Sequence, residues 1–553
     1  MADTPRQIAD RYLDGVARLS PTVSTELGLP YGAGELDDFS PAGTAAQLQL
    51  VRATLDELAD ADATDPVEAR CATLLRERLE AELAQIEHGE DLRAIRNLFS
   101  PMHSVREIFT MMPTETEADW EQVRLRLTAV PRSYAGYTES LREGVRQGLL
   151  AGPRQVSTAI DQLTAWLDSH YWAELVAPAP ESMAAGLAAA ADEATGACVA
   201  LREFLRDTYA PVAAVEPDTV GPERYARCAR YWTGSDVDLQ EAYAWAWEEF
   251  ARIDTDLRAE AQRVRAGATP AEAMALLASE GEAVEGVEQV RQRLQAMMDT
   301  AVAELDGTHF DLAEPVQKVE AMIAPAGGAA APYYTPPSLD FSRPGRTWLP
   351  TMGQQRFPLW DLVSTWYHEG VPGHHLQLAQ WILVAPQLSK YQTTLGMVSA
   401  NAEGWALYAE RLMDELGYLR TPGERIGYLD AQQMRAVRVI IDIGMHCQLS
   451  IPDDADFHPG EQWTPELGRE FFGLHCGRSA EFADSELIRY LGMPGQAISY
   501  KLGERAWLRG RELARAEQGD SFDLKRWHMA ALSMGSLGLD DLVDALRTAG
   551  APA

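Results

Sequence analysis

Three of the eleven histidines of this 553-residue chain fall within one short run, His368 to His375, which reads HEGVPGHH. Glu369 sits among them and no lysine or arginine does, so nothing in the run competes for a cation. Imidazole nitrogen suits zinc, and a glutamate directly after a liganding histidine is where zinc hydrolases keep their general base. The residue types point to metal-assisted hydrolysis. A helix end followed by a surface pair of histidines is the plainer alternative. It suits a lone histidine better than a cluster with a carboxylate beside it.

In the ordinary HExxH motif the histidines are four residues apart, roughly 40° around the helix and about 6 Å along it, so both reach one ion. Here the residue four after His368 is Pro372. His374 and His375 come later, about 9 and 10.5 Å up a straight helix, with His374 turned to the far side. A straight helix cannot build this site. Pro372 withholds an N–H and crowds the turn before it, Val371 is pushed out of the α region, and Gly373 admits backbone angles closed to other residues. The helix is therefore expected to end, kink or bulge over Val371 to Gly373. Such a break swings His374 or His375 back toward His368.

A third ligand is sought in SANAEGWALYAERLMDELG, Ser399 to Gly417. Met397, Ala400, Glu403, Leu407 and Glu410 recur at three- and four-residue steps, so two carboxylates share one helix face beside apolar Trp405, Tyr408 and Leu412. A glutamate in such surroundings is costly unless it is paired or bound to a metal. Glu403 fits either a ligand or a buried salt bridge.

The elements that must position these residues divide by texture. From Leu48 to Ile86, with a break near Asp60 to Pro66, and again from Val287 to Leu305, apolar residues recur at helical spacing. Residues 1–323 read as an N-terminal helical part. At residues 324–350, APAGGAAAPYYTPPSLDFSRPGRTWLP, the helical period is lost. A short strand or hairpin is expected around Pro332 to Thr335 and Arg346 to Leu349. Tyr333, Tyr334, Arg343 and Trp348 are large for a spacer, so this stretch is read as an active-site wall whose Tyr333, Tyr334 and Arg343 contact substrate; a proline-rich connector is the rival. Residues 351–553 form the metal-binding helical part, and the three are expected to make one integrated domain.

Composition narrows the function classes. Forty-eight basic against eighty-three acidic residues give a formal charge of −35, which argues against nucleic-acid or anionic-membrane partners. The five cysteines are widely spaced with no CxxC pair, so a reducing compartment is expected. The first residues, MADTPRQIADRYLDGVARL, lack the charged-then-apolar pattern of a signal peptide, and no segment offers about 18 uninterrupted apolar residues. A soluble, cytoplasmic protein is the expectation.

HEGVPGHHLQ, AEGWALYAE, DIGMH at Asp442 to His446 and ELIRYLGMPGQAISYKLG at Glu486 to Gly503 together resemble the bacterial family catalogued as domain of unknown function 885. LSPTVSTELGL, Leu19 to Leu29, and YYTPPSLDFSRPG extend the likeness to nearly the whole chain. That family is similar to the glutamate-zincin metallopeptidases, largely helical bodies that hold zinc through two histidines of one helix and a glutamate of a later one. The resemblance implies His368, His374 and Glu403 as ligands of one Zn2+. It leaves His375 as a supporting or substrate contact. It also implies a place near the active site for Asp442 and His446, four apart on one helix face, and offers Tyr500 or Lys501 as donor to a developing oxyanion.

The expectation is a mainly α protein, a large helical body around a deep cleft with a small extended element at the site. It would hydrolyse peptide or amide bonds of short substrates, with Glu369 as base. Hydrolysis of a specialised small-molecule amide, and metal-holding without turnover, are the rivals.

Overall fold

A computed structural model describes residues 3–325 and 331–551. The chain is mainly α, with small sheets only, and divides into two compact units. The first comprises residues 1–68, 75–228 and 484–494; the second comprises 69–74, 229–483 and 495–553.

The first unit is organised on two long helices, α1 (Glu117–Gln147) and α2 (Ala184–Phe204). Thr116 caps α1 in a capping box with Asp119, and Gly148 ends it in the left-handed conformation that a side chain disfavours. Val123, Leu127, Val130, Tyr134, Tyr137 and Leu141 of α1 face Leu187, Ala190, Ala194, Cys198 and Leu201 of α2 in one core. The run Ala184–Ala213 is long and apolar enough in composition to cross a membrane. Asp192 and Glu193 interrupt it, and its apolar stripe is spent on this core.

The second unit carries α3 (Leu239–Val264), α4 (Pro270–Glu280), α5 (Val287–Leu305), α6 (Leu362–Glu369), α7 (His374–Leu383), α8 (Ser399–Glu415), α9 (Pro422–Cys447), α10 (Pro465–His475) and α11 (Ser499–Gln518). Its axis is α9. A Thr421–Glu424 capping box and Pro422 in the first turn start this helix, and nearly every residue from Ile426 to His446 is buried. A helix buried all round must be walled by others. α3, α6 and α10 pack on α9, while α8 packs on α11. The α8–α11 crossing is close because glycines meet there: a Cβ on Gly404 would overlap Gly503 backbone.

The strands are short. β1 (Ala283–Glu285) pairs antiparallel with β5 (Arg356–Pro358). β2 (Val319–Ile323), β3 (Tyr333–Thr335) and β4 (Gly345–Leu349) form a sheet in the order β2-β4-β3. β3 and β4 are the expected hairpin, in antiparallel register with Tyr333 opposite Trp348. β2 adds to it in parallel, from within a stretch read as helical. Residues 326–330 of the proline-rich stretch lie outside the described residues.

Buried histidines give unit 2 a pH dependence. His528 is fully buried, accepts from Tyr408 at 2.8 Å, and is pushed down to about 3 by burial. Its folded pKa lies below the unfolded value, so this stability is fully present above pH ~6.5 and is lost as pH falls toward 3, at about 1.4 kcal/mol per unit. Urea unfolding should show a clear loss between pH 6.5 and 5. A flat profile there would contradict this assignment.

Candidate metal centre

The HEGVPGHH run breaks into two helices. α6 ends at Glu369, with the Gly370 N–H bonded to Trp366 O at 2.9 Å, and α7 begins at His374. Between them Val371-Pro372 is a cis peptide. The loop folds back on itself: the Gly373 N–H donates to Tyr367 O at 3.0 Å and the His375 N–H to Gly370 O at 3.2 Å. Gly373 must be glycine, because a Cβ there would overlap the carbonyl oxygens of His368 and Tyr367. This fold-back replaces the ~9 Å rise of a straight helix. The rings of His368 and His374 meet edge to face with centroids 4.8 Å apart.

α8 supplies the carboxylates and anchors the loop. Glu403 Oε2 lies 3.3 Å from His368 Nε2 and 3.5 Å from His374 Nε2. The Trp405 indole N–H is shared between Pro372 O at 2.9 Å and Gly373 O at 3.2 Å. Two turns after Glu403, Glu410 accepts from His368 Nδ1 at 2.8 Å and from the Ser364 hydroxyl, with Arg435 of α9 3.8 Å from it. A carboxylate on Nδ1 holds that nitrogen as the donor, so that Nε2, facing Glu403 and His374, is the nitrogen that would give its lone pair to an ion on losing its proton.

The donor set fits a small divalent ion. Ligand atoms about 2.1 Å from a tetrahedral centre stand about 3.4 Å from each other, which matches both spacings to Glu403. Glu403 Oε2 is buried without a hydrogen-bond partner, a costly state for a carboxylate oxygen unless a cation joins it. The side-chain donors of His368, Glu369 and His374 lie within 4.8 Å of one another. Burial opposes ionisation of Glu403, yet the two histidines hold it well below the usual carboxylate range. Burial also works against charging His368, but Glu403 and Glu410 raise it to about 10. Burial pushes Glu369 up, the direction a base needs, against the pull of His368 and His374.

His375 points elsewhere. It is fully buried, and its Nε2 lies 2.6 Å from Val316 O, a carbonyl that can only accept. Nε2 therefore carries the proton, and Nδ1 accepts from the Tyr334 hydroxyl at 2.9 Å. Burial drives its pKa down to about 4. Gly345 of β4 lies against both groups, so His375 joins the sheet to the start of α7 and is not open to substrate. Tyr334 is committed to that joint. Tyr333 stacks on Trp348, centroids 5.8 Å apart, and Arg343 clamps its own loop by donating to Pro336 O at 2.7 Å and Pro344 O at 3.3 Å.

Lys501 is fully buried in an ion cluster with Glu504 and Glu249 and also donates to Gln432, so it is not a free oxyanion donor. Tyr500 is half-buried, with the Arg438 guanidinium 5.0 Å from its ring, one turn before the Gly404–Gly503 crossing that carries Glu403. His446 is fully buried, 3.7 Å from Asp442, which accepts from the Gly495 N–H at 3.0 Å. It stands about 16 Å along α9 from Arg435, at the helix end, and is not brought to the centre. Three positioning residues were not foreseen as such: Glu410, Trp405 and Arg435. Only Glu410 carried a signal, its shared face with Glu403.

Trp405→Phe removes the indole donor that ties the loop to α8. Unfolding should be easier by about 1–3 kcal/mol, the cost of taking the indole donor from the buried Pro372 carbonyl, while Gly373 O keeps the Gln377 N–H at 3.2 Å; affinity for added zinc should fall. Unchanged zinc affinity would show that Trp405 does not set the ligand geometry.

Fold and site define a mainly α protein whose second unit brings two histidines together with Glu369 and Glu403, and sets Glu410 behind His368. The chain belongs to the family described as "Bacterial protein of unknown function (DUF885)", whose model matches residues 21–546. Among solved structures, one titled "The crystal structure of the putative lipoprotein from Colwellia psychrerythraea" is similar with a TM-score of 0.80 and 21% identity, covering 99% of each chain. A second, titled as a "putative lipoprotein of unknown function from Shewanella oneidensis", has a TM-score of 0.74 and 17% identity over 98% of this chain and 99% of that one. At these identities the likeness is one of fold. No curated protein matches.

Proposed function

We propose that the protein is a zinc-dependent hydrolase of peptide or amide bonds in short substrates. The observation that carries this reading is the convergence of His368 Nε2 and His374 Nε2 on Glu403 Oε2, at 3.3 and 3.5 Å, with that oxygen otherwise unpartnered. Bound there, zinc would supply a Lewis acid for the scissile carbonyl and lower the pKa of a water. Three protein ligands suit a catalytic more than a structural site, which would take a fourth.

The chain's own groups account for the rest. Glu369 adjoins a ligand, is almost fully buried, and has its pKa raised, so it can take a proton from the attacking water and return it to the leaving amine. Glu410, held by Ser364 and Arg435, keeps His368 aimed. Tyr500 is the remaining candidate to donate to the oxyanion, since Lys501 is committed elsewhere. The strong negative charge supports a substrate that is neither nucleic acid nor an anionic membrane. Metal-holding without turnover is the reading that Glu369 argues against, because such a site has no use for a base beside the ion.

The test is metal analysis of the purified protein together with a screen of short peptides and acyl-amino acids. Near-stoichiometric zinc and chelator-sensitive hydrolysis of at least one amide are expected. Zinc bound, with no amide cleaved and no effect of Glu369→Gln on any measured property, would favour the binding-protein reading; absence of metal affinity would overturn both.

A further inference from the structure

A second concavity lies in the same unit, away from the metal centre. It encloses about 1120 Å³ between α3, α4, the loop through Phe457 and α10, large enough for a small organic molecule. Gln433 of α9 reaches it, whereas Arg435, two residues on, faces Glu410. Two residues are about 200° around a helix, so the concavity opens on the opposite side of α9 from the metal centre.

Its walls are aromatic. Phe471 packs against Trp247 and Phe250 with centroids 5.3 Å away and against Phe457 at 5.0 Å, and His475 meets Phe250 edge-on at 4.8 Å. Leu474, at the edge, is 62% exposed. Gln433, which lines it, is 1% exposed, and among the described residues neither its amide nitrogen nor its amide oxygen has a partner. Buried amides are normally satisfied, and one left with both a donor and an acceptor open matches a ligand that offers the complementary pair.

The rim favours positive charge. Arg258 is neutralised by Asp254 at 2.5 Å and Arg478 by Asp430 at 3.3 Å. Glu248, Asp454 and Asp456 are exposed at the rim and make no ion pair among the described residues. Aromatic faces and carboxylates together recognise an organic cation, since ring quadrupole and anion act in the same sense.

We infer that this concavity binds a small aromatic amine carrying an amide group: the ring lies against Phe250 and Leu474, the amide meets Gln433, and the ammonium meets the rim acids Asp454 and Asp456. The inference is independent of hydrolysis at the metal centre.

The test uses the full chain carrying Glu369→Gln, so that the probe's own amide is not cleaved at the metal centre, and L-phenylalaninamide, with calorimetry and ligand-observed NMR as readouts. Saturable one-site binding is expected, weakened at least tenfold by N-acetylation of the probe, which removes its charge, and by Asp454→Asn with Asp456→Asn. Ala275→Trp, at an exposed α4 position lining the concavity, should abolish binding without changing the circular dichroism spectrum; Ala278→Phe serves as a second filling variant. Gln433→Leu should weaken the amide and leave phenethylamine, which has none, unchanged. No saturable binding would overturn the inference. So would equal affinity for the acetylated probe, or binding that survives both filling variants but is lost in His374→Ala, which would assign the probe to the metal centre.

Discussion

Glu369→Gln should leave fold and zinc content intact while lowering turnover by roughly 10²–10⁴-fold, the usual contribution of a positioned general base. The side chain sits one residue after His368, about 100° around α6, with a carboxylate oxygen within 4.8 Å of the His368 and His374 nitrogens, near enough to reach a water on an ion held there. Among the described residues it makes no hydrogen bond or ion pair, in contrast to Glu410, which holds His368 and Ser364. Glutamine keeps the shape and removes the proton acceptor. Substrate should still bind, so KM should move little while kcat collapses. Loss of zinc on this substitution would make Glu369 a ligand and the proposed mechanism wrong.

Single replacements of His368, His374 or Glu403 by alanine should remove most of the bound zinc, whereas His375→Ala should retain it. The contrast between adjacent histidines is the sharpest part. His374 Nε2 faces Glu403 at 3.5 Å, while both nitrogens of His375 are occupied, one by Val316 O and the other by the Tyr334 hydroxyl. His375→Ala should instead lower stability, by about 2–4 kcal/mol, because it opens a cavity in the core and leaves a buried carbonyl and hydroxyl unpaired. Zinc titration with inductively coupled plasma detection, and urea unfolding of the same proteins, separate the two outcomes. If His375→Ala empties the site and His374→Ala does not, the ligand assignment is reversed.

Much of this could be read from local chemistry. Pro372 and Gly373 carry their backbone constraints wherever they stand, so a break in the helix after His368 was determined by sequence, as were the mainly α architecture and the hairpin at Tyr333–Thr335 and Gly345–Leu349. The spacing of Glu403 and Glu410 on one face was equally legible. What the sequence could not decide was where groups distant in the chain come to lie. Lys501 and Tyr500 are neighbours in sequence and equally able to donate a hydrogen bond, but α11 packs so that Lys501 enters an ion cluster with Glu249 and Glu504 while Tyr500 remains half-buried beside Arg438. His446 had the right partner at the right spacing, yet the length of α9 carries it to the far end. β2 joined the hairpin from a stretch read as helical, because strand pairing is decided by the neighbour and not by a five-residue period. Trp405 reads in the sequence only as an apolar neighbour of Glu403, and Arg435 is not singled out. Their roles at Pro372 and Glu410 exist only because α8 and α9 fold against the break that the sequence itself dictates.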